Sequence, residues 1–402
     1  MSFPACRHRK KKTAATQTLG WLGNEPYRLF FLSGILFSMA GVAMWPLFFS
    51  GHFPFYPGVS HARVMIEAFA GGFVVGFLGT AGPRMLAAPR IKPWELIILF
   101  SLHLASGVCH LCGLTTWGDG LFLALLTSLA ISLGTRVIFF RKSLPPPAML
   151  LAATGLLCGI VGTAIWLIPA WLEKPGIQRL AGLLLYQGFL LGPVMGVGIF
   201  LFPRLLGGDF GEPANKPDVR RSLICMILAA AVLLASFAVE VWGNPWVGQL
   251  MRGAAFVFAL SQVRWRRPEG AASPGTLANA LRIWCLPLAL LGLVGPALFP
   301  LQHIALEHLL FIGGFGLLCL IAGSRVLLGH SGSLELFAQS SWIARGIVFA
   351  TVLAAITRAS ANFLPKIMIS HYEYAAWSWL VGAILWTFWH SCRFFKKDLS
   401  DD

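Results

Sequence analysis

Charge is what this 402-residue chain has least of: Asp, Glu, Lys and Arg together make up 12% of it. A soluble domain carries about 25%. An ordinary soluble enzyme and a disordered chain are therefore both excluded. Acidic residues are the scarcer sign, 16 against 31 Lys and Arg, which leaves a formal net charge of +15. A nucleic-acid binder would set such an excess on a polar, water-facing surface. Here 57% of residues are hydrophobic, so no nucleic-acid partner is expected. The 8 cysteines are too sparse for a disulfide framework. Cys158, Cys225, Cys285 and Cys319 lie in apolar runs, where thiols behave as small hydrophobes. Also missing are a Walker loop, a dinucleotide fingerprint after a strand, His-Glu-x-x-His and Gly-x-Ser-x-Gly.

What the chain has in abundance is long hydrophobic runs. Runs of roughly 17–25 residues, the length that crosses a bilayer, predict an all-α polytopic bundle of about twelve spans. They fall at 29–49, 62–82, 94–114, 120–140, 148–170, 180–202, 222–241, 248–263, 278–298, 306–328, 342–361 and 374–392. The breaks carry turn chemistry: Pro83 to Pro93, Pro145 to Pro147, Gly207 to Pro217, and Pro268 to Gly275. Residues 28–394 read as one membrane domain, flanked by a basic tail at 1–27 and a short tail at 395–402.

With the N-terminus placed in the cytoplasm, about 25 of the 31 basic residues fall on the inner side. The outer side receives Arg63, Lys174, Arg179, Arg252, Arg358 and Lys366. Both termini are then cytoplasmic. Trp171, Trp242, Trp246, Tyr372 and Trp377 form an outer aromatic belt. Glu240 and Arg252, at outer helix ends, are expected to be solvated.

Ionisable groups inside spans are costly and point to function. No histidine occurs between His110 and His303, so spans four to nine supply no imidazole. His61 on span two and His308 on span ten share one depth near the outer interface. Imidazoles on separate helices at one depth can ligate haem iron from opposite faces. The alternative is an interfacial histidine bonded to a neighbour. His103 and His110 lie about two turns apart on one face of span three. Cys109 and Cys112 share that region, and such a pair binds soft metals or packs as small residues. Arg63 and Glu67, four residues apart, are expected to pair, although Arg63 also stands two residues from His61, within reach of a haem propionate. His308 and His330 are 22 residues apart, about 33 Å along a helix, and cannot share a site.

Several segments resemble the NnrS family, polytopic haem-containing membrane proteins of the bacterial nitric-oxide response. Pro26-Tyr27-Arg28-Leu29-Phe30-Phe31 is similar to the family's opening. His61-Ala62-Arg63-Val64-Met65, followed by Gly76 to Pro83, is similar to its Trp-His-Ala-His-Glu-Met segment. Gly192-Pro193-Val194-Met195-Gly196 resembles a glycine-rich family segment. Arg325-Val326-Leu327-Leu328-Gly329-His330-Ser331-Gly332 is similar to Arg-Val-x-Leu-Gly-His-Thr-Gly. The departures are Ser60 for Trp, Arg63 for the second histidine and Val64 for Glu. The resemblance implies b-type haem and an association with copper, whose site loses a histidine at Arg63. It brings Arg325 and His330 into the cofactor-binding set beside His61, His308 and Arg63. Haem–copper oxidase core subunits also place low-spin haem ligands on spans two and ten, but this chain lacks their copper histidines on six and seven.

These readings converge on a haem protein of the bacterial inner membrane, linked to nitric oxide as a ligand and to a redox partner. The candidate metal ligands are His61, His308, His103 and His110. The rival readings are a multi-pass transporter, with Tyr186, Gln187 and His103 as midplane polar groups, and a membrane assembly or regulatory partner without chemistry of its own.

Overall fold

The computed structural model describes residues 25–207, 216–265 and 274–396. Most of the basic N-terminal tail, the end of the C-terminal tail and parts of two inner loops lie outside these residues. No strand occurs among the described residues, and twelve long helices follow one another in chain order. They are α1 (Pro26–Phe49), α2 (Gly58–Met85), α3 (Pro93–Leu111), α4 (Thr115–Phe140), α5 (Met149–Trp166) and α6 (Pro175–Leu205). Then come α7 (Lys216–Trp242), α8 (Pro245–Ser261), α9 (Thr276–Leu298), α10 (Pro300–His330), α11 (Trp342–Phe363) and α12 (Met368–Phe394). Ten of them are long and apolar enough to cross a membrane; α8 and α12 are the two that fall outside that group. The chain is an all-α polytopic membrane bundle.

The helices overrun the apolar windows at their N-termini. Proline at the first positions of α1, α3, α6 and α8 is the reason. Proline fits the first helical turn, whose N–H groups have no partner in any case. At its other end α5 stops at Trp166, short of the expected 170, because Pro169 excludes helix before it. α3 stops at Leu111, where Gly113 turns the chain with φ of +77°.

Three helices form the centre. Some 78% of the most apolar stretch of α2 is buried inside the protein, 83% in α6 and 61% in α10, against 33% in α3, α4 and α7. The peripheral helices turn residues such as Ile97, Phe139, Phe349 and Phe388 outward, as lipid contact requires. Each central helix carries a π-helical turn in its N-terminal half: Val64–Ala70, Leu183–Gly188 and Leu309–Gly316. Such turns insert a residue and re-aim the side chains around them. The glycines of α10 thus accompany a π turn, and the helix continues unbroken to His330. α5 and α6 cross where Gly155 and Gly192 meet; a Cβ on Gly192 would lie 2.5 Å from the Gly155 Cα.

Candidate functional site

His61 sits near the start of α2 and turns towards α1. Its Nδ1–H donates to the Gly41 carbonyl at 2.9 Å, and its ring lies edge-on to Trp45, 5.8 Å between centroids. His308 closes the first turns of α10. Its Nδ1–H donates to the Ile304 carbonyl one turn back, at 2.6 Å. Both rings are half-buried. In each, the bond at Nδ1 fixes the tautomer and leaves Nε2 as the free lone pair, the arrangement of a metal-ligating imidazole. Neither Nε2 has a hydrogen-bond partner among the described residues.

Arg358 of α11 lies within electrostatic range of both rings, and the two histidines are within range of each other. Its guanidinium stands 4.4 Å over the Tyr372 ring and donates to Asn362 Oδ1 at 3.2 Å. No carboxylate pairs with it among the described residues. Tyr372 in turn faces Trp45, at 6.4 Å. The histidine pair is therefore walled by aromatic rings and carries a cation on α11 that the motif search did not single out.

Arg63 goes the other way. Two helical residues advance about 200° around the axis, so Arg63 points away from His61 into the interior. Its guanidinium is fully buried and forms a two-pronged bond to Asp119 of α4, at 2.7 and 3.2 Å. The expected pair with Glu67 is present at 3.3 Å. Arg63 also donates to the Tyr186 hydroxyl and lies 4.5 Å over Trp166. His110 of α3 completes the cluster, with Nε2 2.8 Å from Glu67 Oε2. Gly118 leaves room for that ring; a Cβ there would lie 2.3 Å from it.

Glu67, His110 and Asp119 offer ligand atoms within 4.8 Å of one another, a grouping that could hold a metal ion. One nitrogen and two carboxylates make an oxygen-rich donor set, harder than the thiolate and thioether ligands that select cuprous copper. Arg63 already engages both carboxylates as a resident cation. Cuprous copper therefore fits these residues poorly. His103 is absent from the group. It is buried among Phe30, Phe37 and Phe100 and shares a hydrogen bond with Ser33 Oγ at 3.0 Å. Cys109 is half-buried and Cys112 exposed, and both are free thiols.

A second buried network corrects the expectation for Glu240 and Arg252. They are 5% and 1% exposed, and they pair with each other. Arg252 also donates to Gln187 Oε1 at 2.6 Å. Arg179 bridges Glu240 and Glu307 at 2.7 and 3.3 Å. A helix end that packs against α6 is shielded by protein, and the charges then satisfy one another. Glu307 therefore faces this network and leaves its neighbour His308 alone. At the C-terminal end of α10, His330 accepts from Arg84 Nη1 at 3.0 Å and lies tilted against Tyr27, 4.7 Å between ring centroids. Arg325 lines the same region, far from the histidine pair.

Asp119 and Arg358 were not among the expected site residues, and Tyr186 was expected only under the transporter reading. For Asp119 a signal existed: an acid between two glycines, one residue outside the apolar window that begins at Gly120. Tyr186 stood among midplane polar groups without a partner assigned. Arg358 looked like one more outer-loop cation.

A search of curated proteins finds no match to this chain. A family model described as NnrS protein matches residues 22–395, from before α1 to beyond the end of α12. With nearly the whole bundle matched, the chain belongs to the NnrS family.

Proposed function

We propose that this protein is a b-type haem protein of the bacterial inner membrane, acting in the response to nitric oxide. The observation that carries the reading is the pair His61 and His308, each with Nδ1 committed to a carbonyl and Nε2 free. When bound, the haem supplies a redox-active iron that can take a diatomic gas or pass an electron. His61 and His308 would hold the iron through Nε2, kept in orientation by the Gly41 and Ile304 carbonyls. Arg358 would meet a propionate, a part that Arg63 cannot play because its carboxylate bonds face the interior. Trp45 and Tyr372 exclude water from the ring face. Both termini lie in the cytoplasm, all twelve helices span, and residues 28–394 form one domain. Nitric oxide is the ligand and a redox protein the partner.

The test is spectroscopic. Protein purified in detergent after growth with adequate haem should show a Soret band and a sharp reduced α band. His61→Ala and His308→Ala should each move the reduced spectrum or lose the haem. A colourless wild-type protein, or unchanged spectra in both variants, would refute the assignment. Metal analysis of the same preparation should find iron without stoichiometric copper. A C-terminal reporter should read as cytoplasmic.

A further inference from the structure

At the end opposite the histidine pair, the three central helices open into a cavity of about 570 Å³. Arg84 enters it from α2, Arg204 from α6 and Arg325 from α10, with His330 beside them. The three arginines hold equivalent positions. Each stands 17 residues beyond the polar residue of its own π-turn region: Glu67, Gln187 and His308. The central trio thus repeats one plan, a polar side chain in the N-terminal half and an arginine near the C-terminal end.

Arg84 is committed, bonded to Glu25 and to His330. Arg204 and Arg325 have no acidic partner among the described residues, and Arg325 lies in the field of Arg204. Among the described residues, no carboxylate lines the cavity. The rest of it is largely apolar, with Phe77, Leu201 and Val326 among the residues there. Basic residues at an inner helix end complement the helix dipole and follow the positive-inside rule. Neither rule requires three of them to line one concavity between helices, where like charges repel. Convergent guanidinium forks are the geometry that recognises a tetrahedral oxyanion.

We infer that this inner cavity is a binding site for a phosphate group, held between Arg204 and Arg325 with Arg84 and His330 as the fixed wall. The apolar remainder of the lining suits a phosphate that carries an acyl chain. The same guanidinium pair would also take inorganic phosphate, and the two sources separate experimentally.

The experiment uses the full-length protein, delipidated in detergent. Native mass spectrometry titrates it with phosphatidylglycerol and with phosphatidylcholine, and calorimetry titrates it with inorganic phosphate. Arg204→Gln/Arg325→Gln is compared with wild type, and Arg204→Lys/Arg325→Lys serves as the charge-keeping variant. Wild type should retain phosphatidylglycerol over phosphatidylcholine, or bind inorganic phosphate. The glutamine variant should lose that binding at least tenfold, and the lysine variant should keep part of it. A lipid preference assigns the source as a headgroup, and phosphate binding alone assigns it as the free anion. Equal binding by wild type and either double variant, or binding of neither ligand by wild type, would overturn the inference. If the glutamine variant does not fold, the lysine variant decides, since loss of the fork alone should still weaken binding several-fold.

Discussion

Two buried ionic networks occupy this bundle, and their charge inventories differ. The network around Arg252 sets two guanidinium groups, Arg179 and Arg252, against two carboxylates, Glu240 and Glu307. It closes on itself, and Gln187 fills the remaining bonds. The network around Arg63 sets one guanidinium against two carboxylates, Glu67 and Asp119, with the His110 imidazole beside them. Its inventory is one positive charge short. In a low-dielectric interior that deficit is met by a proton or a cation. Glu67 Oε1 and His110 Nδ1 are also left without hydrogen bonds. The first network is built as a clamp, and the second retains capacity for proton or cation exchange. Both draw on α6 through adjacent residues, Tyr186 and Gln187, which its π turn aims at different helices.

The comparison can be broken by substitution. Glu240→Gln leaves buried Arg252 short of its counter-charge and should destabilise the protein by about 3–5 kcal/mol. A lowered melting temperature and poor recovery in detergent would show it. Glu67→Gln instead brings the Arg63 network to balance and should cost less than about 1.5 kcal/mol. Equal losses in the two variants would erase the distinction between the networks.

Arg63→Met removes the resident cation and leaves Glu67, His110 and Asp119 as a vacated donor set. Metal analysis after equilibration with zinc should find about one ion more in the variant than in wild type. No gain would mean that the deficit is met by protons alone. Gly118→Ala forces a methyl group against the His110 ring, where only 2.3 Å is available. Overpacking of this kind costs about 1–3 kcal/mol, read as a shift in thermal unfolding. The smallest effect belongs to Cys112→Ser. That thiol is exposed and unpaired, and the change should stay within about 0.5 kcal/mol. A larger loss would restore the Cys-x-x-Cys pair as a working unit.

Much of the fold was legible. Each apolar run corresponds to a helix, because the bilayer leaves a helix or a closed barrel as the only ways to satisfy backbone bonds. The i, i+4 pair of Arg63 and Glu67 was legible for the same local reason. Glu240 and Arg252 were misread because distance from an apolar window was taken for distance from protein. The π turns left no mark in the composition, yet they direct Tyr186 and Gln187 to separate networks.

The sequence by itself determined the helices and their proline-capped starts, since these depend on neighbours within a turn or two. Tertiary structure decided which polar groups meet. Arg63 finds Asp119 56 residues away, and Arg179 finds Glu307 128 residues away. It also decided that His61 and Arg63 part company, one towards α1 and the other into the core. Azimuth around a helix acquires meaning only once its neighbours are in place, and packing among twelve helices is what sets them.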